Sequence, residues 1–173
     1  MVTNQNEMIP TKPLYSMFTD IPPRYDLINR LITWGMDSGW RKKAAEECLA
    51  TRPQKILDLC CGTGDLAITI AKAADYPVVI KGFDYSQPML DIARQKAALE
   101  HGKNISFTQG EAAKMPFPEA EFDCIGISFA FRNLTYKNPL AKAHLAEIVR
   151  VLKPGGRCVI AESSQPRQKV IRE

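Results

Sequence analysis

The sequence predicts an α/β fold: an open, mostly parallel sheet with helices on both faces. Three observations predict it. The stretch Ile56 to Leu66, ILDLCCGTGDL, reads as a buried strand, a glycine turn and the first turn of a helix. Further short apolar runs (Val78 to Phe83, Asn104 to Gln109, Cys124 to Phe129, Arg157 to Glu162) alternate with segments of helical spacing. An acid, Asp84, closes the second run twenty residues after Gly64.

The first strand carries Ile56, Leu57 and Leu59. Gly62 and Gly64 form the turn, where a backbone without Cβ takes unusual φ/ψ and lets a ligand approach closely. The amphipathic stretch Leu66 to Ala71 follows. Gly62, Gly64 and Ala67 together with Asp84 also fit a dinucleotide fingerprint. Asp58, four residues before Gly62, argues against that reading, because a carboxylate beside a pyrophosphate cradle repels it. S-adenosylmethionine has no phosphate and carries an ammonium and a sulfonium. Asp58 and Asp65, bracketing the turn, suit such a cationic nucleoside. The plainer alternative is a turn that only packs a helix on a strand.

The length suits one structural domain with a real core. Residues 1–50 read as an N-terminal helical segment on the substrate side, and residues 51–173 as the cofactor-binding α/β part. The net charge of +4 is scattered, and no block of Lys and Arg interleaves with aromatics, so no nucleic-acid partner is expected. The five cysteines follow neither metal nor disulfide spacing. They read as small apolar residues of a reducing cytoplasm, with no metal site expected. The N-terminus lacks the pattern of a signal peptide, and no apolar run approaches membrane-spanning length.

The remaining elements follow in order. Residues 1–12 are polar and expected to be loose. Tyr15 to Leu49 is a helical region broken at Pro22-Pro23, Gly35 and Gly39, with Trp34, Met36 and Trp40 as large apolar groups. Its helices pack on the sheet or cover the cofactor crevice. Arg41 to Leu49 continues as a helix that Pro53 ends. After the second strand, Ser86 is placed to cap a helix over Pro88 to Leu99. Asp84, followed by Tyr85, is placed to accept both ribose hydroxyls. Glu111 after the third strand can take an adenine amino group, and the backbone beyond it, at Ala112, can donate to a ring nitrogen. Met115 and Phe117, with Pro116 and Pro118, form an extended apolar wall. Ser128 to Asn133 follows the fourth strand at its carboxyl end, where open α/β sheets bind ligands, and sets Arg132 and Asn133 beside two phenylalanines. Pro139 to Leu152 is a helix, stopped by Lys153 to Gly156. His101 and His144 lack ligand spacing and read as surface or packing residues.

Together these segments resemble a class I S-adenosylmethionine-dependent methyltransferase of Rossmann-like fold, and more closely the ubiquinone/menaquinone biosynthesis C-methyltransferase family. Tyr25 to Asn29 with Gly35 and Trp40-Arg41 is similar to that family's N-terminal motif. Arg150 to Gly156 with Glu162-Ser163-Ser164 is similar to its second motif, and Ser128-Phe129 with Arg132-Asn133 matches the segment after the fourth strand. The resemblance spans about residues 15–166. Asp37 stands where the family has His, Glu111 where it has Asn or Asp, and the stretch from Asn133 to Arg150 is longer than usual. Such folds add two more strands after the fifth, which a chain stopping at Glu173 lacks. That leaves apolar surface at a sheet edge.

The resemblance implies that Thr63, Asp84, Glu111, Ala112 and Ser128 line the cofactor, joined by Asp58, Gly62, Gly64 and Tyr85 from the residue reading. It implies that Arg132 and Asn133 face a polyprenylated quinol such as demethylmenaquinol, methylated on a ring carbon, with S-adenosylhomocysteine as the other product. A ring carbon becomes nucleophilic when the neighbouring hydroxyl, with a pKa of about 10, loses its proton. Arg132 would favour the phenolate. Further expectations are a cytoplasmic protein, peripheral contact with the inner membrane surface through a lipid-like substrate, with Arg167, Lys169 and Arg172 able to touch anionic lipid, and a homodimer. Other readings are a methyltransferase for another small molecule, a cofactor-binding fragment without activity, and a nicotinamide-dependent reductase.

Overall fold

A computed structural model describes residues 36–100 and 104–162. Within them run α1 (Met36–Leu49), β1 (Lys55–Leu59), α2 (Asp65–Ala73), β2 (Val79–Asp84), α3 (Gln87–Leu99), β3 (Ile105–Gln109), β4 (Phe122–Ser128), α4 (Phe131–Thr135), α5 (Ala141–Val151) and β5 (Leu152–Ala161). The strands pair in the order β3-β2-β1-β4-β5, and every pair is parallel. The chain moves outward from β1 to β2 and β3, then crosses back to β4 on the other side of β1. The order reverses between β1 and β4, and in such sheets the crevice for a ligand opens at the carboxyl ends of those strands.

Parallel strands covered by helices on both faces are buried on both sides, and β1 shows it: Ile56 to Leu59 are all buried. Alternation divides its side chains. Ile56 joins Ile80, Cys124, Leu66, Ile70 and Cys48, so α1 and α2 cover that face. Leu57 and Leu59 join Phe83, Ile125, Ile127, Ile148 and Val151, so α5 covers the other. Met115 and Phe117, expected as an apolar wall, turn into this second core. Phe117 stands edge-on to Phe83 and Phe122 at 5.4 and 5.1 Å between centroids. Each such buried side chain stabilises the fold by about 1.5–3 kcal/mol.

Three local expectations are corrected. Gly39 does not break the first helix, which runs through it from Met36; no atom lies within 4 Å of where its Cβ would be, so its cost is only the loss of helix propensity. Ser86 occupies the N-cap of α3, yet its side chain makes no capping bond. α5 stops before Lys153 to Gly156 as expected, but those residues form a bulge inside β5, which starts at Leu152 and not at Arg157. Pairing jumps from Phe122 opposite Leu152 to Cys124 opposite Arg157. Gly155, at φ +78, permits the excursion. Asp123 anchors it: its Oδ1 accepts from Lys153 Nζ (2.6 Å), while Oδ2 accepts the N–H groups of Gln54 and Lys55 (3.0 and 2.8 Å).

Among the described residues β5 pairs only with β4, and Ile160 on it is 43 % exposed. No helix among the described residues is long and apolar enough to cross a membrane. The expectations for residues 1–35, for His101, for Ser163 and Ser164 and for Arg167, Lys169 and Arg172 lie outside the described residues.

Candidate functional site at the carboxyl ends of the strands

The turn after β1 is held in left-handed backbone at alternate residues, with φ +56 at Cys60, +51 at Gly62 and +79 at Gly64. For Cys60 this is an uncommon conformation, of the kind kept where surrounding structure enforces it. The enforcement is visible. Cys61 N–H donates to Phe83 O (3.1 Å), and Gly64 N–H donates to Cys61 O (2.8 Å). The two glycines differ in their surroundings. A Cβ on Gly64 would lie 3.0 Å from Ala93 Cβ and 3.1 Å from the Phe107 ring, so Gly64 allows α2 to pack on α3 and β3. A Cβ on Gly62 would meet nothing within 4 Å. Gly62 therefore leaves bare backbone facing open space.

Two acids organise this turn from beneath. Asp84, at the end of β2, accepts Gly62 N–H on Oδ2 and Ser86 N–H on Oδ1, both at 2.9 Å. Its burial raises its pKa, against the lowering effect of those N–H groups. A carboxylate offers about four lone-pair sites, so the N–H groups of Gly62, Ser86 and Tyr85 leave room for a further donor. Asp58 is 1 % exposed, and its Oδ2 accepts Ala67 N–H at 2.9 Å. Gly64, the N-cap of α2, has no side chain to cap with, and Asp58 does that work from the neighbouring strand. Desolvation pushes the Asp58 pKa up to about 8.

Asp65, expected beside a cationic nucleoside, already has cationic side chains of this chain beside it. It pairs with Arg41 of α1 (3.1 Å) and with Lys96 of α3. Lys96 Nζ also donates to Thr63 Oγ1 (3.2 Å), and Thr63 is buried. Its charge therefore ties α1, α2 and α3 together around the turn. Lys96 had no sequence signal, because it lies in an ordinary amphipathic helix far along the chain.

The other expected residues divide into two groups. Ser128, at the end of β4, has a buried Oγ with no hydrogen-bond partner among the described residues. Tyr85 is half-buried beside Asp84, and its carbonyl accepts from Gln109 Nε2 (3.1 Å). Ala112 is buried. Glu111 is turned toward α5: its Oε1 lies 3.4 Å from Nε2 of His144, whose Nδ1 is 2.9 Å from Leu134 O. His144 is a buried packing residue, and its hydrogen bond holds the Glu111 carboxyl below its usual range.

Arg132 and Asn133 lie on α4, just past β4, and both are exposed. No described contact joins their side chains to the glycine turn. The Arg132 guanidinium sits over the Tyr136 ring at 4.2 Å. Its backbone N–H donates to Glu162 Oε2 at 3.1 Å, which brings a carboxylate from the end of β5 beside it. Sequence reasoning gave Glu162 no role beyond the motif.

Two features elsewhere do not belong to this site. Among the described residues no three or more His, Cys, Asp or Glu side chains form a cluster that could hold a metal ion. A cavity of about 720 Å³, lined by Gln54, Tyr76, Val79 and Asn104 among others, lies at the opposite, amino ends of β1 and β2.

A model of the ubiE/COQ5 methyltransferase family matches residues 4–173 of the chain. The chain is 45 % identical over 150 residues to the demethylmenaquinone methyltransferase of Deinococcus radiodurans, covering 87 % of this chain and 60 % of that protein. It is also 45 % identical over 150 residues to the demethylmenaquinone methyltransferase of Thermus thermophilus, covering 87 % of this chain and 66 % of that protein. The chain thus spans between 60 and 66 % of the length of these curated relatives. Among solved structures it is similar to the YcgJ protein of Bacillus subtilis, with a TM-score of 0.61 and 28 % identity over 78 % of this chain and 53 % of that one.

Proposed function

The chain belongs to the ubiE/COQ5 methyltransferase family, and on that premise we propose that it binds S-adenosylmethionine and serves C-methylation of a polyprenylated quinol ring, such as demethylmenaquinol. The observation that carries the cofactor reading is Asp84. It ends β2, accepts the N–H groups of Gly62, Ser86 and Tyr85, and keeps acceptor capacity for a ribose hydroxyl. Bare backbone at Gly62 and the orphaned Ser128 Oγ fit a ligand laid across the ends of β1, β2 and β4. Gly62, Thr63, Gly64, Tyr85, Ala112 and Ser128 would hold the cofactor with Asp84. Asp58 would act through the turn it supports, and Glu111 would reach the adenine by turning away from His144. Residues 1–50 would form the segment on the substrate side and residues 51–173 the cofactor part. When bound, S-adenosylmethionine supplies a methyl group already activated by its sulfonium.

The chain's own residues have two tasks. The first is alignment and exclusion of water, which can contribute about 7–11 kcal/mol to a reaction of this kind. The second concerns a proton. Arg132 does not act as a base, since its guanidinium stays charged. It would stabilise the quinol oxygen as an anion, with Asn133 orienting that oxygen. Glu162, whose Oε2 accepts the Arg132 N–H at 3.1 Å, would be the carboxylate that receives the proton. A substrate with a polyprenyl tail would bring the chain to a membrane surface.

Calorimetric titration with S-adenosylhomocysteine and, separately, NADH tests the reading. Saturable binding of the first alone is expected. Tight binding of NADH would replace the methyltransferase reading with a nicotinamide-dependent reductase.

A further inference from the structure

We propose that Trp40, Phe129 and Arg41 form the seat for the flat ring of the methyl acceptor. The proposal deepens the reading above, on which the identity of the ring rests.

Phe129 is the first residue past β4, at the point where the strand order reverses. It is held at φ +58, a conformation that bulky side chains rarely take. Its N–H donates to Ala161 O at 2.8 Å, which fixes the turn against the end of β5. Strain of this kind persists where the surroundings enforce it, and it gathers at functional sites. Ile125 and Ile127, earlier on β4, are fully buried, whereas Phe129 stays half-buried.

Trp40 reaches this ring from α1. The two centroids are 6.0 Å apart with the planes at 51°, and Trp40 is 43 % exposed. The other two aromatic pairs among the described residues, Phe83 with Phe117 and Phe117 with Phe122, belong to the core. The pair at Phe129 is the one left open, and it stands at the carboxyl end of the sheet. Aromatic pairs prefer offset or tilted packing, which leaves ring faces free for a third ring.

Arg41 adds the charge. Its guanidinium carbon lies 5.8 Å from the Phe129 centroid, and Asp65 holds it at 3.1 Å. Since Asp65 begins α2 directly after Gly64, the seat is fastened to the glycine turn. A cation beside an aromatic seat suits a ring that carries hydroxyl or phenolate oxygen. Arg132 lies three residues beyond Phe129, at the start of α4.

The test uses the whole chain and 1,4-naphthalenediol, kept reduced under nitrogen. Its absorption overlaps indole emission, so binding beside an indole quenches it. The chain has two tryptophans, and Trp34→Phe leaves Trp40 as the reporter. The titration is run with and without S-adenosylhomocysteine. Saturable quenching in Trp34→Phe is expected, with the dissociation constant raised at least tenfold by Phe129→Ala. Phe129→Leu keeps the bulk and serves if the alanine variant does not fold. Equal affinity with and without the Phe129 ring overturns the seat, and so does quenching that never saturates. If S-adenosylhomocysteine fails to bind while the Phe129-dependent quenching remains, the seat stands and the cofactor reading falls. If S-adenosylhomocysteine binds and the diol does not, the seat falls and the cofactor reading stands.

Discussion

Asp58 Oδ2 accepts the Ala67 N–H at 2.9 Å in a fully buried contact that joins the end of β1 to the first turn of α2. The bond replaces the side-chain cap that Gly64 cannot give. Asp58→Ala should therefore cost about 1–2 kcal/mol, the usual cost of losing a cap. Asp58→Asn keeps an acceptor and should cost less. The pH dependence separates the charge from the bond. Burial lifts the Asp58 pKa from 3.8 to about 8. Between those values the folded chain keeps a proton that the unfolded chain has lost, so stability falls as pH rises across that window. Asparagine does not titrate, so Asp58→Asn should flatten the profile. Urea midpoints across the window read this directly, and parallel profiles for the two proteins would contradict it.

The same raised pKa predicts a proton linkage to ligand binding. A cation near Asp58 and Asp84 favours their ionised forms. Both carboxyls are held up by burial. Binding of S-adenosylmethionine near neutral pH should then release protons. Calorimetric enthalpies in buffers of different ionisation enthalpy measure the number released. Asp58→Asn should lower it. An unchanged number would place Asp58 out of reach of the ligand's charge.

The glycines of the turn should fail in different ways. Alanine at either site meets the left-handed backbone, a cost of about 1–2 kcal/mol. At Gly64 the Cβ also crowds Ala93 and Phe107 at 3.0 and 3.1 Å, so Gly64→Ala should be the less stable variant. At Gly62 the Cβ enters open space. Gly62→Ala should stay folded and lose at least about tenfold in S-adenosylhomocysteine affinity, since close backbone approach needs the missing Cβ. Thermal melts and calorimetry on both variants separate the two effects.

Glu111 and His144 should couple only within a window of pH. The hydrogen bond to Glu111 raises the His144 pKa above 6.5, and the same bond lowers that of Glu111 below 4.5. The histidine's share is full below 6.5 and is lost as pH rises through its raised value. The carboxylate's share is full above 4.5 and is lost as pH falls through its lowered value. A double-mutant cycle with Glu111→Gln and His144→Asn should show its largest coupling near pH 5.5 and almost none near pH 9. Because the Glu111 side chain is 54 % exposed, the coupling should stay below about 1 kcal/mol. Constant coupling across that range would show that the charges are not involved.

Arg132 and Glu162 should matter for turnover and little for the cofactor. Arg132→Ala and Glu162→Gln should each lower turnover of a short-chain demethylmenaquinol by about 10²-fold or more. S-adenosylhomocysteine affinity should change by less than about threefold, since Arg132 stands at the start of α4 and Glu162 at the end of β5, both outside the glycine turn after β1. Turnover equal to that of the parent chain would remove the residue concerned from the proposed proton path.

Much of the turn after β1 and its supporting acids was legible in the sequence because those signals are local. The apolar run at Ile56 to Leu59, the glycines at 62 and 64 and the acid at 84 each follow from strand period, turn chemistry and chain distance. The order of strands is not among these local signals, since doubly wound sheets occur in more than one order. Pro154-Gly155-Gly156 signals the end of α5, but no local pattern announces that the same residues bulge within β5. Asp123, in the neighbouring strand, pins that bulge.

Backbone conformation and apolar period act over a few residues, so the parallel sheet, the glycine turn and the acid that grips it could be read from the chain alone. The partners of the charged and aromatic side chains came only with the packing. Asp65 looked like an acid for a cationic ligand until Arg41 and Lys96 were brought to it from two other helices. Glu111 was drawn to His144, and Trp40 to Phe129, by the crossing that returns the chain to β4. Such pairings depend on which elements the sheet order sets side by side, and no local pattern encodes that distance.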